Sequence, residues 1–296
     1  MINQNKLGLA LSGGGIRGGA HLGVLKVLAQ NEIYPDMISG ASAGSIAGAL
    51  YASGADLDKF VENVVGLKPW EFLDPAFASG YVLLFLYYFY AKKPMTMSKF
   101  PNGLFRGDKL EGLLDDVFGG AYFDDLKVPL SVVSVDIDTG ETVVFCSKHN
   151  LPHEKMPETV FITDVSVAVA VRASISLPGV FVPKRLKGRS LVDGGIKNNL
   201  PLDILQKQGA DKMIAVDLSI SKKQHKADSM VEILMATVDI MGSELSRYIK
   251  KNYPAYFIYP NIRAGYTDLY NMQNIVKHGE KVAIEVMPEV KRYIAM

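Results

Sequence analysis

Short apolar runs alternate with longer amphipathic stretches along most of this chain. Leu7–Leu11, Met37–Ser39 and Lys212–Leu218 are built of apolar and small residues and bounded by turn signals, so they read as buried strands. Pro129–Ile137 and Glu141–Ser147 alternate in the manner of strands, and Asp138-Thr139-Gly140 between them is a hairpin signal. Ala255–Tyr259 reads as a further strand. Helical spacing falls between these runs. A first helix follows Gly19, with Leu22, Leu25, Val27 and Leu28 on its apolar face, and a second begins behind Ser42 and runs through Leu50. Tyr51–Gly66 (with a start at Ala55-Asp56), Asp108–Phe118, Thr163–Ala173 and Asn199–Gln208 are helical, as are the long Met230–Lys250 and the closing region Asp268–Ile294. Strands and helices in alternation predict an α/β fold with a mainly parallel central sheet covered on both faces.

One section breaks this rhythm. Leu67–Arg106 is rich in Pro, Phe, Tyr and Met and contains the apolar run Tyr81–Ala91. That run is far short of the ~20 residues that cross a bilayer. Two readings stand for it: a buried helix or strand, or an interfacial, lid-like segment ended by Lys92-Lys93 that makes peripheral membrane contact.

Composition narrows the function classes. The 296 residues are 48% hydrophobic, enough to bury a substantial core. A formal net charge of +1, with no local basic cluster, gives no electrostatic reason to expect a nucleic-acid partner. Cys146, the single cysteine, rules out an internal disulfide and a thiolate metal cage, and its apolar surroundings suit a buried structural thiol. Asp136, Asp138 and Glu141 lack the spacing of a calcium loop, so no metal is expected there. The N-terminus enters a strand within a few residues without a secretory apolar region, and a cytoplasmic protein is the expectation.

The chemistry concentrates in three short stretches. Gly40-Ala41-Ser42-Ala43-Gly44 lies where a strand runs into a helix. Small residues on both sides of Ser42 permit the sharp turn that leaves a serine hydroxyl projecting alone, with a helix N-terminus behind it. Out of this setting the five residues would be an ordinary Gly/Ser turn. Upstream, the first strand empties into Ser12-Gly13-Gly14-Gly15-Ile16-Arg17-Gly18-Gly19. Four glycines from Gly13 to Gly18 are more than a tight turn needs, and they suit a loop whose bare amides approach a ligand. Gly13-x-Gly15-x-x-Gly18 matches the dinucleotide fingerprint, which would make the protein a nucleotide-binding oxidoreductase. That fingerprint expects an acidic residue at the end of the second strand; here Asp36 sits at its start, and no Lys-Ser/Thr pair follows the loop. Amides that stabilise the oxyanion formed when Ser42 attacks a carbonyl fit better. Downstream, Leu191-Val192-Asp193-Gly194-Gly195 sets an aspartate at a strand end. Asp before Gly is common in turns, but a serine hydroxyl needs a neighbour that takes its proton.

A catalytic triad would add a histidine. Only His225 and His278 follow Asp193; the first lies in a polar loop and the second on a late helix beside Lys277. His21 falls within the first helix as a packing residue, and His149 and His153 flank a proline-containing loop. A Ser–Asp dyad is therefore favoured over a triad.

Gly-Gly-Gly-Ile-Arg-Gly, Gly-Ala-Ser-Ala-Gly and Asp-Gly-Gly, in that order, resemble the patatin-like phospholipase family, in particular its bacterial branch. Ala20–Leu25 is similar to that family's first helix, Ala173–Phe181 to its substrate-side loop, and Ser243–Gly279 to its bacterial tail. The resemblance implies a three-layer α/β/α sandwich and a serine lipid acyl hydrolase that uses no cofactor. Ser42 would be the nucleophile, Asp193 the proton acceptor, and Gly13, Gly14, Gly15, Ile16, Arg17 and Gly18 the oxyanion hole. It also implies one domain over residues 1–296. The motifs would lie within about residues 7–205, the lid-like insertion at about 67–106 and a packed helical extension at about 225–296. Some distant relatives show little activity, so a regulatory or binding protein that keeps the fold is the alternative.

Overall fold

The computed structural model describes residues 5–76, 102–219, 230–262 and 271–296. Its strands are β1 (Leu7–Leu11), β2 (Met37–Ala41), β3 (Gly103–Phe105), β4 (Leu130–Asp136), β5 (Thr142–Phe145), β6 (Thr159–Ile162), β7 (Gly179–Phe181), β8 (Lys184–Leu186), β9 (Arg189–Asp193), β10 (Lys212–Val216) and β11 (Tyr256–Ile258). Its α-helices are α1 (Gly19–Gln30), α2 (Ala43–Ser53), α3 (Leu57–Gly66), α4 (Pro69–Phe72), α5 (Asp108–Phe118), α6 (Val167–Ser174), α7 (Leu202–Lys207), α8 (Met230–Asn252) and α9 (Met272–Ala295). The run Tyr81–Ala91 and His225 lie outside the described residues. Among the described residues no helix is long and apolar enough to cross a membrane.

The fold is mixed α/β around a mostly parallel sheet in the order β11-β10-β1-β2-β4-β5-β6. Strand alternation explains why both faces are covered. Leu9, Leu11, Ile38 and Val132 point to one side and pack with residues of α1, α2 and α9. Ala10, Met37, Met213 and Ala215 point to the other and meet Leu202 and Leu205 of α7 and Ile249 of α8. Strands buried on both faces must be apolar at every position, which is why β1 and β2 read as continuous runs.

The sheet changes character at β4. Its first half runs parallel to β2, with Ala41 opposite Val133. Its second half runs antiparallel to β9, with Asp193 opposite Ser134. The two neighbours approach along one edge of β4 from opposite directions, and their C-terminal ends meet. On the far edge, β4 and β5 form the expected antiparallel hairpin. Asp136 and Glu141 both pair with Arg189 at 2.8 and 2.6 Å, so the turn's carboxylates are held by a cation from β9.

Several element boundaries differ from expectation. The Thr163–Ala173 helix begins only at Val167, because the Ser166 side chain accepts the Val169 amide and caps it. The Asn199–Gln208 helix shrinks to Leu202–Lys207; Asn199 and Leu200 precede Pro201, which stands at the helix N-cap. Strands β6, β7 and β8 were not legible in the apolar pattern. β7 and β8 are three residues long, and all but one residue of β6 is only partly buried.

Helices α1 and α9 touch through glycine. A Cβ at Gly279 would fall 2.2 Å from the Ala20 carbonyl oxygen, and one at Gly23 would fall 2.2 Å from that of Val276. Backbone on both sides leaves no side chain to give way. Gly279→Val should therefore lower unfolding free energy by about 2–3 kcal/mol, read from a urea midpoint with unchanged m-value. A wild-type midpoint would show that the helices separate at no cost.

Candidate active site

The junction on β4 sets the site. Ser42 follows Ala41 directly and begins α2 in the conformation φ 51°, ψ −124°, a region that L-residues rarely occupy and that costs about 1–3 kcal/mol. The turn is held from three sides. The Ser42 amide donates to Ser174 Oγ at 2.9 Å, Ser174 Oγ donates to the Val133 carbonyl at 2.6 Å, and Ser45 Oγ donates to the Ser42 carbonyl at 2.6 Å. Gly44 is required by close approach, since a Cβ there would lie 2.1 Å from the Leu11 carbonyl oxygen. Gly40 faces Gly44 in the same tight packing, and Ala41 and Ala43 are buried.

Asp193 ends β9 on the other side of the junction. Its Oδ2 accepts the Ser42 hydroxyl at 2.7 Å, and its Oδ1 accepts the Gly195 amide at 2.7 Å. The Asp193 amide donates to the Ser176 carbonyl at 3.0 Å, which ties β9 to the end of α6. Gly194 lies against the Val133 carbonyl, where a Cβ would come within 2.2 Å. Burial raises the Asp193 pKa to about 6, against the opposing effect of the hydrogen bonds from Ser42 and Gly195.

The glycine loop divides by what its amides already hold. Gly13 donates to the Asn199 carbonyl at 3.2 Å and Arg17 to the Gly14 carbonyl at 3.3 Å. The Arg17 guanidinium is buried and binds the carbonyls of Gly14 and Leu218 and the Asp239 carboxylate of α8, the last at 2.6 Å. Gly18 packs on Ala43. The amides of Gly14, Gly15 and Ile16 make no hydrogen bond among the described residues, and Gly15 sits at φ +56°. Of these three, Gly14 and Gly15 line the cavity beside Ser42, whereas Ile16 packs against the core; Gly13, Arg17 and Gly18 brace the loop.

A cavity of about 230 Å³ opens at Ser42 and Asp193. Ile46, Leu110, Leu177, Val180, Phe181 and Val238 give it a mainly apolar wall. Sequence reading singled out Ala173–Phe181 and so anticipated part of that wall. It missed Ser174 as the partner of the Ser42 amide, Asn199 on the wall shared with Ser42 and Asp193, and Met235, Val238 and Gly242 of α8. Ser174 did lie within a stretch marked for attention. The α8 residues follow a helical period that gives no sign of which helix face closes a pocket.

No described histidine reaches the Ser42–Asp193 pair. His21 is buried with Nε2 2.8 Å from the Ser12 carbonyl oxygen, and burial lowers its pKa to about 4. His149, His153 and His278 are exposed. Asp36 accepts the Leu7 amide at 2.7 Å, at the start of β1 and β2 and thus at the opposite end of those strands from the glycine loop. It is placed to join two strands and not to hold a ribose beside that loop. Cys146 is buried, and burial pushes its pKa up to about 12, as for a structural thiol.

Known proteins match this sequence over much of its length. The family model for patatin-like phospholipase matches residues 9–205. Neuropathy target esterase sws of Drosophila melanogaster is 30% identical over 219 residues, which are 73% of this chain and 13% of that protein. An uncharacterized NTE family protein of Mycobacterium tuberculosis is 29% identical over 220 residues, 73% of this chain and 50% of that one. The chain spans half or less of the length of these relatives. Among solved structures, VipD from Legionella pneumophila aligns at 16% identity with a TM-score of 0.47, covering 97% of this chain and 67% of that one.

The elevated Asp193 pKa has a stability consequence. Folded Asp193 holds its proton up to about pH 6, whereas the unfolded carboxyl loses it near 3.8, so stability falls as pH rises through that window. Asp193→Asn keeps the shape and removes the buried charge. It should be more stable than wild type at pH 8 by up to about 3 kcal/mol, with the gain shrinking toward pH 4. Denaturant unfolding at both values measures this; an equal gain at both would show that the charge is not the cause.

Proposed function

The chain belongs to the patatin-like phospholipase family, and from that premise we propose that it is a serine hydrolase of lipid acyl esters working through a Ser42–Asp193 dyad. The observation that carries the reading is the 2.7 Å hydrogen bond from the Ser42 hydroxyl to a buried carboxylate, at the mouth of an apolar cavity. The cavity's size suits an acyl segment and not a whole phospholipid.

In this reading Ser42 attacks the ester carbonyl while Asp193 Oδ2 takes its proton and passes it to the leaving alcohol. An acyl-serine remains, and water releases the fatty acid. A pKa of about 6 suits the carboxylate to this work. It is mostly ionised at neutral pH, yet a much stronger base than an exposed aspartate. The amides of Gly14 and Gly15 would donate to the oxyanion, each such donor being worth roughly 3–4 kcal/mol in turnover. Support for these two comes from their lack of other partners among the described residues.

Ser42→Ala should lose both covalent labelling by a fluorophosphonate and hydrolysis of p-nitrophenyl acyl esters. Persistent hydrolysis in that variant would remove Ser42 from the mechanism. Wild-type protein that neither labels nor hydrolyses would favour the fold-retaining binding protein.

Because the ionised carboxylate is the competent form, kcat/KM should rise with pH through about 6 and then level off. A profile flat from about pH 5 to 8 would exclude Asp193 as the base.

A further inference from the structure

The cavity holds one polar side chain that neither the dyad nor the glycine loop explains. Of the polar side chains on its wall, Arg17 pairs with Asp239, Ser219 donates to Ser246 Oγ at 3.2 Å, and Ser42 donates to Asp193. The sixth is Asn199. It is 8% exposed, its backbone carbonyl accepts the Gly13 amide, and its carboxamide has no hydrogen-bond partner among the described residues. A carboxamide that lines a cavity and has no protein partner is hydrogen-bonded by what enters the cavity, so this one is open to a small polar molecule.

Three glycines from three parts of the chain surround that carboxamide. A Cβ at Gly13 would lie 2.6 Å from Asn199 Oδ1 and 3.1 Å from Ser42 Cβ. One at Gly195 would lie 3.0 Å from Asn199 Oδ1 and 3.1 Å from Asp193 Oδ1. One at Gly242 of α8 would lie 3.1 Å from Asn199 Cγ. The amide oxygen therefore lies within about 6 Å of Ser42 Cβ and of Asp193 Oδ1, near enough for one water to reach both the carboxamide and the dyad.

From this we infer that Asn199 holds the water that hydrolyses the acyl-serine, a role that rests on the dyad reading above. In the free protein Ser42 occupies Asp193 Oδ2 and the Gly195 amide occupies Oδ1. Once Ser42 carries the acyl group and the alcohol has taken the proton and left, Oδ2 is free to accept again. A water then donates one hydrogen to Asp193 Oδ2 and the other to Asn199 Oδ1. Its oxygen attacks the acyl carbon as the first hydrogen passes to Asp193. The tetrahedral intermediate expels Ser42 Oγ, which takes the proton back from Asp193, and the fatty acid departs. A dyad without histidine has one group to activate this water and needs a second to orient it.

The test separates acylation from deacylation. With p-nitrophenyl butyrate, Asn199→Ala should release a burst of nitrophenol comparable to the protein concentration, followed by a steady state slowed at least about tenfold relative to wild type. Butyryl-Ser42 should accumulate in its intact mass spectrum. Fluorophosphonate labelling, which needs no deacylation, should stay near the wild-type rate. If the Ala variant does not fold, as judged by thermal unfolding, Asn199→Ser is read by the same criteria. Labelling and turnover slowed equally, or turnover unchanged, would overturn the role of Asn199 while leaving the dyad intact. Failure of wild-type Ser42 to label at all would instead remove the dyad reading and this inference with it.

Discussion

The site depends on how two strands share one edge of β4. β2 comes up parallel and stops at Ala41 opposite Val133; β9 comes from the other direction and stops at Asp193 opposite Ser134. Adjacent residues on one strand thus fix the Ser42 backbone and the Asp193 backbone, though 151 positions separate the two in sequence. Hydrogen-bond register leaves little freedom, because a slip of one residue would turn every side chain of a strand to the other face. Both strands are fully buried around the junction, so such a slip would force side chains shaped for one packed face into the other. The same carbonyl of Val133 accepts the Ser174 hydroxyl that in turn holds the Ser42 amide. One short segment of β4 therefore organises Ser42, the Asp193 carboxylate and the clamp on the turn.

Two features at this junction oppose folding: the left-handed backbone at Ser42 and the buried charge at Asp193. Neither would survive in a loop free to relax. They persist because the surroundings are rigid and closely packed. Gly44 lies on the Leu11 carbonyl, Gly194 on that of Val133, and Arg17 links the glycine loop to Leu218 and to α8. Stability given up at the site is supplied by the sheet and the helices on its two faces.

Much of this was legible in the sequence, for identifiable reasons. The strands β1, β2 and β10 are buried on both sides and so announce themselves as apolar runs, whereas β4 shows itself by alternation. Ser42 was legible because its turn needs small residues on both sides, and Asp193 because a buried strand ending in Asp-Gly-Gly is conspicuous. Their mutual contact was expected from the base that a serine hydroxyl needs and from the family resemblance, and not from the pattern of apolar positions. It follows from the antiparallel entry of β9, which periodicity does not encode. Ser174 and Asn199 stayed hidden for a related reason: a serine ending a helix and an asparagine before Leu-Pro look like ordinary capping and turn residues. Only the fold brings the first beneath Ser42 and the second beside Asp193.

In the proposed function the apolar cavity links the chemistry to the substrate class. Aliphatic and aromatic walls suit a hydrocarbon chain, and burial in that region raises the Asp193 pKa to about 6. An aspartate on an open, wet surface would remain near its ordinary value and be too weak a base for a serine hydroxyl. Imidazole usually fills this role because its unperturbed pKa of about 6.5 already lies near neutrality. Desolvation brings the carboxylate into the same range without a histidine, at the cost of a buried charge. In the proposed reaction, then, an acyl chain entering the cavity would displace further water and strengthen the basicity of the group that activates Ser42. Substrate binding and base strength would rise together, whereas a small polar ester that leaves the cavity wet would gain neither.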